Sequence, residues 1–188
     1  MMAYADIAVA LLAAGRSIRF GSDKLHAEFE GEALGMKAAR TLVGLPFASH
    51  IAVCKSDIEL AGLYANLGFN VVTNQQPEIG QALSLQLAVK AAMMSQATAL
   101  LVALADMPFV SAAHFSALVA GYEGTIAAST NGSTSMPPAI FPRESWPDLL
   151  ATSGDAGARA LIKHAKLVAA PFGELRDIDT PADLLASK

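Results

Sequence analysis

The run IAVALLA, from Ile7 to Ala13, has no polar position on either face. A strand of this kind is buried on both sides, which points to a largely parallel sheet with helices packed against it. Further short apolar runs follow as HIAVC, FNVVT and ALLVALA, the last stopping abruptly at Asp106-Met107-Pro108. Amphipathic segments lie between them. Ala33 to Val43 sets Leu34, Ala38 and Leu42 on one helical face before Gly44 and Pro46, and Ile58 to Leu67 is closed by Gly68. Leu83 to Met94 and Ala112 to Ala120 read as further helices, TIAAS and PAIF as paired strands flanking TNGSTSM, and Ala156 to His164 and Ala182 to Ala186 as the last helices. KLVAA and RDI read as extended pieces between those last helices. The expected fold is α/β, with a three-layer, Rossmann-like, mostly parallel sheet and helices on both faces.

Composition agrees with one buried core. The 188 residues are 53% hydrophobic and only 16% charged, and no internal repeat or linker-like shift divides them. A formal charge of −4 argues against a nucleic-acid or anionic-membrane partner. Cys54 is the only cysteine, so an intrachain disulfide and a cysteine-built zinc site are excluded. The N-terminus has no basic leader region and no apolar run reaches the length of a membrane span, so a soluble, cytoplasmic protein is expected.

Ligands of such sheets sit beyond the carboxyl ends of the strands. Two features fall there: the loop LLAAGRSIRFGSDKL after the first strand, and Asp106 at the end of ALLVALA. In the loop, Ala13, Ala14 and Gly15 are small enough for backbone N–H groups to approach an anion, and Arg16, Arg19 and Lys24 add positive charge. The spacing is neither a Walker A loop nor GxGxxG. Read alone, these residues suit a phosphate grip or a solvated surface loop equally. Asp106, read alone, suits a turn or a helix cap as well as a hard-cation ligand.

Leu12, Ala14, Gly15, Ser17, Arg19, Phe20, Gly21 and Lys24 stand at the spacing L-x-A-G-x-S-x-R-[MF]-G-x-x-K, and here the chain resembles the MobA-like nucleotidyltransferases. The resemblance runs over nearly the whole chain and implies a single nucleotidyltransferase domain over residues 1–188. It assigns the triphosphate of an NTP to the loop from Leu12 through Ala13, Ala14, Gly15, Arg16 and Ser17, with Arg19 and Lys24 stabilising phosphate charge. ADMP is similar to the family's G-D-M-P, which makes Asp106 a ligand of a catalytic Mg²⁺. RDIDTPADL is similar to the family's D-I-D-T-P-E-D-L, which sets Asp179 first and Asp177 second beside the same metal. An extended stretch would point both aspartates to one face, while Thr180 and Pro181 start the next helix.

Two further segments follow the family's order. In NQQPEIGQALSL, Asn74, Gly80 and Ser84 resemble the strand-end amide and helix start beside the base pocket, which leaves CTP and GTP open. SGDAGARALI resembles the G-D-x-G-A-R segment of the molybdopterin cytidylyltransferase branch, which places Asp155 and Arg159 at the acceptor pocket. The implied reaction moves a nucleotide from CTP or GTP to a phosphorylated acceptor, molybdopterin first, with a sugar phosphate or small alcohol phosphate as the alternative. A non-catalytic delivery partner for a molybdoenzyme is the remaining reading. One departure stands out: where the branch carries G-[HN]-P-V-L-[FW], this chain has Met136-Pro137-Pro138-Ala139-Ile140-Phe141, so Pro137 replaces the polar residue expected beside the acceptor. The scattered His26, His50, His114 and His164 are expected to be structural or on the surface, and Cys54 to be an inert packing residue.

Overall fold

The computed structural model describes residues 3–15, 17, 19–154 and 157–186. It is built on β1 (Ile7–Ala13), β4 (Ser49–Lys55), β5 (Asn70–Asn74), β6 (Ala99–Leu104), β7 (Ala127–Thr130), β8 (Ser135–Pro142) and β9 (Lys166–Ala169), with β2 (Glu28–Phe29) and β3 (Glu32–Ala33) forming a separate hairpin. The seven-stranded sheet has the order β5-β4-β1-β6-β8-β7-β9. β8 runs antiparallel to both neighbours, while the β5–β4, β4–β1, β1–β6 and β7–β9 pairs are parallel. The expected mostly parallel three-layer α/β fold is the one observed.

Alternation along the buried strands divides the core into two layers. Ile7, Val9 and Leu11 of β1 pack on one face with residues of α1 (Leu34–Val43), α2 (Ile58–Asn66) and α4 (Ala112–Gly121). Ala8, Ala10 and Leu12 pack on the other with α3 (Gln81–Met93), α5 (Trp146–Leu150) and α6 (Arg159–Ile162). A strand so covered can carry no polar residue without stranding it, which is the physical content of IAVALLA. Gly35 permits the first layer's closest approach: a Cβ there would lie 2.9 Å from the Tyr64 hydroxyl, which donates to the Gly35 carbonyl at 3.0 Å.

Several details depart from expectation. α3 begins at Gln81, because Gly80 takes a φ of +114° that glycine adopts readily and turns the chain into the helix. The helix expected over Ala156–His164 is confined, among the described residues, to Arg159–Ile162. Residues 176–178 join no strand; Ile178 instead donates its N–H to the Asp106 carbonyl at 2.9 Å and buries its side chain with Phe29 and Leu34. The β2–β3 hairpin has no counterpart in the sequence reading, since its turn places Glu30 (φ +50°) and Gly31 (φ +86°) where Asn-Gly or Asp-Gly is the usual signal. α5 was likewise not expected, and α7 (Pro181–Leu185) closes the described chain.

Candidate active site

β1 lies between β4 and β6; the chain leaves β1 toward the β4 side of the sheet and leaves β6 toward the β8–β7 side, so a crevice opens beyond the carboxyl ends of β1 and β6. Leu12 pairs with Leu104, and Ala105 donates its N–H to the Leu12 carbonyl at 3.1 Å. The loop after β1 and Asp106 after β6 therefore emerge side by side. A cleft of about 410 Å³ occupies this position. Its walls include Leu12, Ala13, Ala14, Gly15, Ser17, Arg19 and Lys24 from the loop, Gly80 and Ser84 from the start of α3, and Asp106, Arg159, Asp177 and Asp179.

Lys24 is the hub. Its ammonium Nζ lies 2.8 Å from Asp106 Oδ2 and 2.7 Å from Asp179 Oδ1, with its side chain almost wholly buried. Burial opposes the charge, but Asp106 and then Asp179 outweigh it and hold the Lys24 pKa above the ordinary value. Arg19 donates to the other oxygen of Asp179 at 2.9 Å, so both oxygens of that carboxylate face cations. Asp106 differs: its Oδ1 is buried and has no hydrogen-bond partner among the described residues. A buried carboxylate oxygen facing nothing is costly, and a hard cation is the partner its chemistry suits. Asp177 lines the same cleft, and burial, followed by Asp179 and Asp106, pushes its carboxyl above the usual range.

Local structure explains how the loop reaches this state. Ser17, at a φ of +51°, accepts the Lys24 N–H on its Oγ at 3.3 Å, and its carbonyl accepts the Phe20 N–H at 3.0 Å. Lys24 then sits in a short 3₁₀ turn, Lys24–His26, capped by Asp23. The Ile178–Asp106 backbone bond brings Asp177 and Asp179 alongside from the far end of the chain. Asn74 is buried at the end of β5, where its Nδ2 donates to Ser84 Oγ at 2.9 Å; it braces the start of α3 from behind the cleft. Arg16 and Asp155, also expected at the site, lie outside the described residues.

The cleft also recruits residues without a sequence signal of their own, chiefly Pro77, Gln81, Leu25 and Leu104. Gln81 lies against Gly157, where a Cβ would come within 2.9 Å of Gln81 Oε1. That contact joins the start of α3 to the segment entering α6.

The histidines divide. His114 is buried and shares a hydrogen bond of 2.8 Å with Ser129 Oγ, which donates to the Pro138 carbonyl; His50 donates to the Leu42 carbonyl. Both are structural. His26 is different: with Asp23 and Asp57 it forms a group whose ligand atoms lie within 4.8 Å of one another, a grouping that could hold a metal ion. Lys55 Nζ already lies 2.7 Å from Asp23, and His26 Nε2 lies 2.5 Å from Asp57. The turn that carries Lys24 is thereby tied to the β4–α2 connection.

This tie predicts a pH dependence. Pairing with Asp57 raises the His26 pKa despite burial, with Asp23 and Glu59 adding to the effect, while His26 and the Leu60 N–H hold Asp57 below its ordinary value despite burial. The contribution is complete below about pH 6.5, where histidine in the unfolded chain is also charged, and is lost as pH rises through the raised folded value. It also fades at the acid end, as pH falls through the lowered Asp57 value. Thermal melts of wild type and His26→Gln should differ most near pH 5.5 and converge toward pH 9; a constant gap would mean that charge plays no part.

A cleft at the switch point of a doubly wound sheet, with a small-residue loop, a buried lysine and strand-end carboxylates, defines a nucleotide-handling α/β protein. The MobA-like NTP transferase domain matches residues 9–170, and the chain belongs to that family. It is 31% identical over 187 residues to the purine catabolism protein PucB of Bacillus subtilis (strain 168), covering 92% of this chain and 91% of PucB. Among solved structures, the Rv0371c homologue from Mycobacterium sp. strain JC1 superposes with a TM-score of 0.83 at 22% identity, covering 99% of this chain and 98% of that one. Rv0371c of Mycobacterium tuberculosis H37Rv, solved as a complex with manganese, gives a TM-score of 0.78 at 19% identity over 97% of each chain. No helix among the described residues is long and apolar enough to cross a membrane.

Proposed function

We propose that this protein transfers a nucleoside monophosphate from an NTP, CTP foremost, to a phosphorylated acceptor, molybdopterin foremost, with release of pyrophosphate. The observation that carries this reading is Lys24 Nζ seated between Asp106 and Asp179 while Asp106 Oδ1 stays uncommitted. An acceptor phosphate oxygen forms the new bond to the α-phosphorus, and the bond from that phosphorus to the α,β-bridging oxygen breaks. Lys24 and Arg19 offset the charge on the phosphate oxygens, and the loop Leu12 to Ser17 holds the triphosphate. Asp106, with Asp179 and Asp177 beside it, would hold Mg²⁺, which supplies alignment and charge neutralisation at the attacked phosphate. Gly80 and Ser84 border the base, with Asn74 bracing Ser84 from behind, and Asp155 and Arg159 border the acceptor. The manganese complex of the Mycobacterium tuberculosis relative supports a divalent cation in this fold.

The test is pyrophosphate release by purified protein with Mg²⁺, CTP or GTP, and molybdenum cofactor. Release with CTP that disappears when either cofactor or metal is omitted is the expected result. Silence with both nucleotides, from folded protein and active cofactor, overturns molybdopterin as the acceptor.

A further inference from the structure

Beside the polar cleft lies a smaller recess of about 100 Å³, lined by Val102 of β6, Pro137, Ala139 and Phe141 of β8, and Ile162 of α6. Gln81, Leu104 and Arg159 line both spaces, which makes the recess a side chamber of the cleft. Val102 and Ala139 are register partners across the β6–β8 pair, so the chamber sits on the α3–α6 side of the sheet.

The two spaces differ in chemistry. The cleft presents Lys24, Asp106, Asp177 and Asp179; among the described residues the recess wall has neither a carboxylate nor a hydroxyl side chain, and its polar side chains are Gln81 and Arg159, both at the shared boundary. Arg159 is exposed and forms no ion pair with another described residue. Pro137, which stands where a polar residue was expected, is part of the apolar wall.

We propose that this recess selects the acceptor: it receives a small, uncharged, apolar group joined to the attacking phosphate, while Arg159 meets the phosphate at the boundary. The proposal rests on the nucleotide-transfer part of the reading above and departs from it in the acceptor, because the large, polar pterin of molybdopterin does not suit this space. A sugar hydroxyl entering the recess would lose water and find no partner, which is expected to weaken binding about tenfold or more. An apolar cavity of ~150 Å³ holds one benzene molecule, so this smaller space suits a branched carbon or the edge of a ring. Polyhydroxylated phosphates are therefore disfavoured and compact apolar phosphate esters favoured.

Isobutyl phosphate and glycerol 1-phosphate are probes of similar size: beyond the phosphate one carries four carbons and no hydroxyl, the other three carbons and two hydroxyls. Each is titrated calorimetrically, alongside inorganic phosphate, into protein saturated with Mg²⁺ and a CTP analogue whose α,β-bridging oxygen is a methylene. Isobutyl phosphate is expected to bind at least tenfold more tightly than glycerol 1-phosphate. Val102→Thr, which adds a hydroxyl at nearly constant volume, and Ala139→Val, which fills the recess, should each erase that preference. The nucleotide titration checks that each variant is folded. Equal affinities in the wild type, or a preference unchanged by both substitutions, overturn the recess as selector. Failure of wild-type protein to bind the Mg²⁺–nucleotide complex overturns the transfer reading instead, and so separates the two.

Discussion

Asp106→Asn is expected to lower the rate of pyrophosphate release about 10³-fold while leaving the fold intact. The two carboxylate oxygens have different duties: Oδ2 faces Lys24 Nζ at 2.8 Å, and Oδ1 is buried without a described partner. An amide keeps only one of them. If its oxygen turns toward Lys24, its NH₂ occupies the place of Oδ1 and presents donors where a cation needs an acceptor. If it turns the other way, the NH₂ faces the ammonium. Either orientation removes the negative charge that would hold Mg²⁺, and losses of this size follow when one preorganised electrostatic contact to a reacting phosphate is deleted. Manganese binding followed by electron paramagnetic resonance, with CTP present and no acceptor, should weaken at least tenfold in the same variant. A rate drop below tenfold with unchanged manganese affinity would remove Asp106 from the metal site.

Lys24→Ala should cost both activity and stability, and the pH dependence separates the two effects. Pyrophosphate release should fall about 10²- to 10³-fold, because a cation placed for the phosphates is gone. Stability should fall by about 1–3 kcal/mol at pH 7. Breaking a fully buried ion pair costs about 3–5 kcal/mol, but the side chains of Asp106 and Asp179 are 23% and 36% exposed, and water relieves part of that. Lys24 is also a charge that opposes the raised Asp177 carboxyl, so without it burial, Asp179 and Asp106 hold that carboxyl further above its unfolded value. The folded variant then binds more protons than the unfolded chain, and its stability recovers as pH falls through the raised Asp177 value. Paired melts at pH 7 and pH 5 should show the wild-type advantage shrinking at the lower pH. An advantage that is the same at both would mean that the lysine stabilises by packing alone.

Much of this molecule is legible in local pattern. Apolar runs marked the principal sheet strands, and Gly68, with its φ of +94°, ends α2 as its position in the sequence suggested. Where local chemistry is disguised, the sequence carries no signal: Glu30 occupies a turn position that Asn or Asp usually announces, and Trp146-Pro147 begins α5 in a segment too short to show periodicity. The cleft shows the same division. Leu12 to Lys24 are neighbours in sequence, and their small-residue and cationic spacing was visible there. That Asp179 would meet Lys24 across 155 positions is a matter of strand order and of the Ile178–Asp106 backbone bond.

Period, size and charge are carried by each residue and its near neighbours, so the principal sheet strands, the glycine stop after α2 and the cationic loop could be read from the chain alone. Which strands lie side by side depends on burying both layers of the core at once, a condition no local window contains. That condition placed β6 next to β1, turned β8 antiparallel, faced Pro137 and Val102 into an apolar recess, and left one oxygen of Asp106 buried without a described partner.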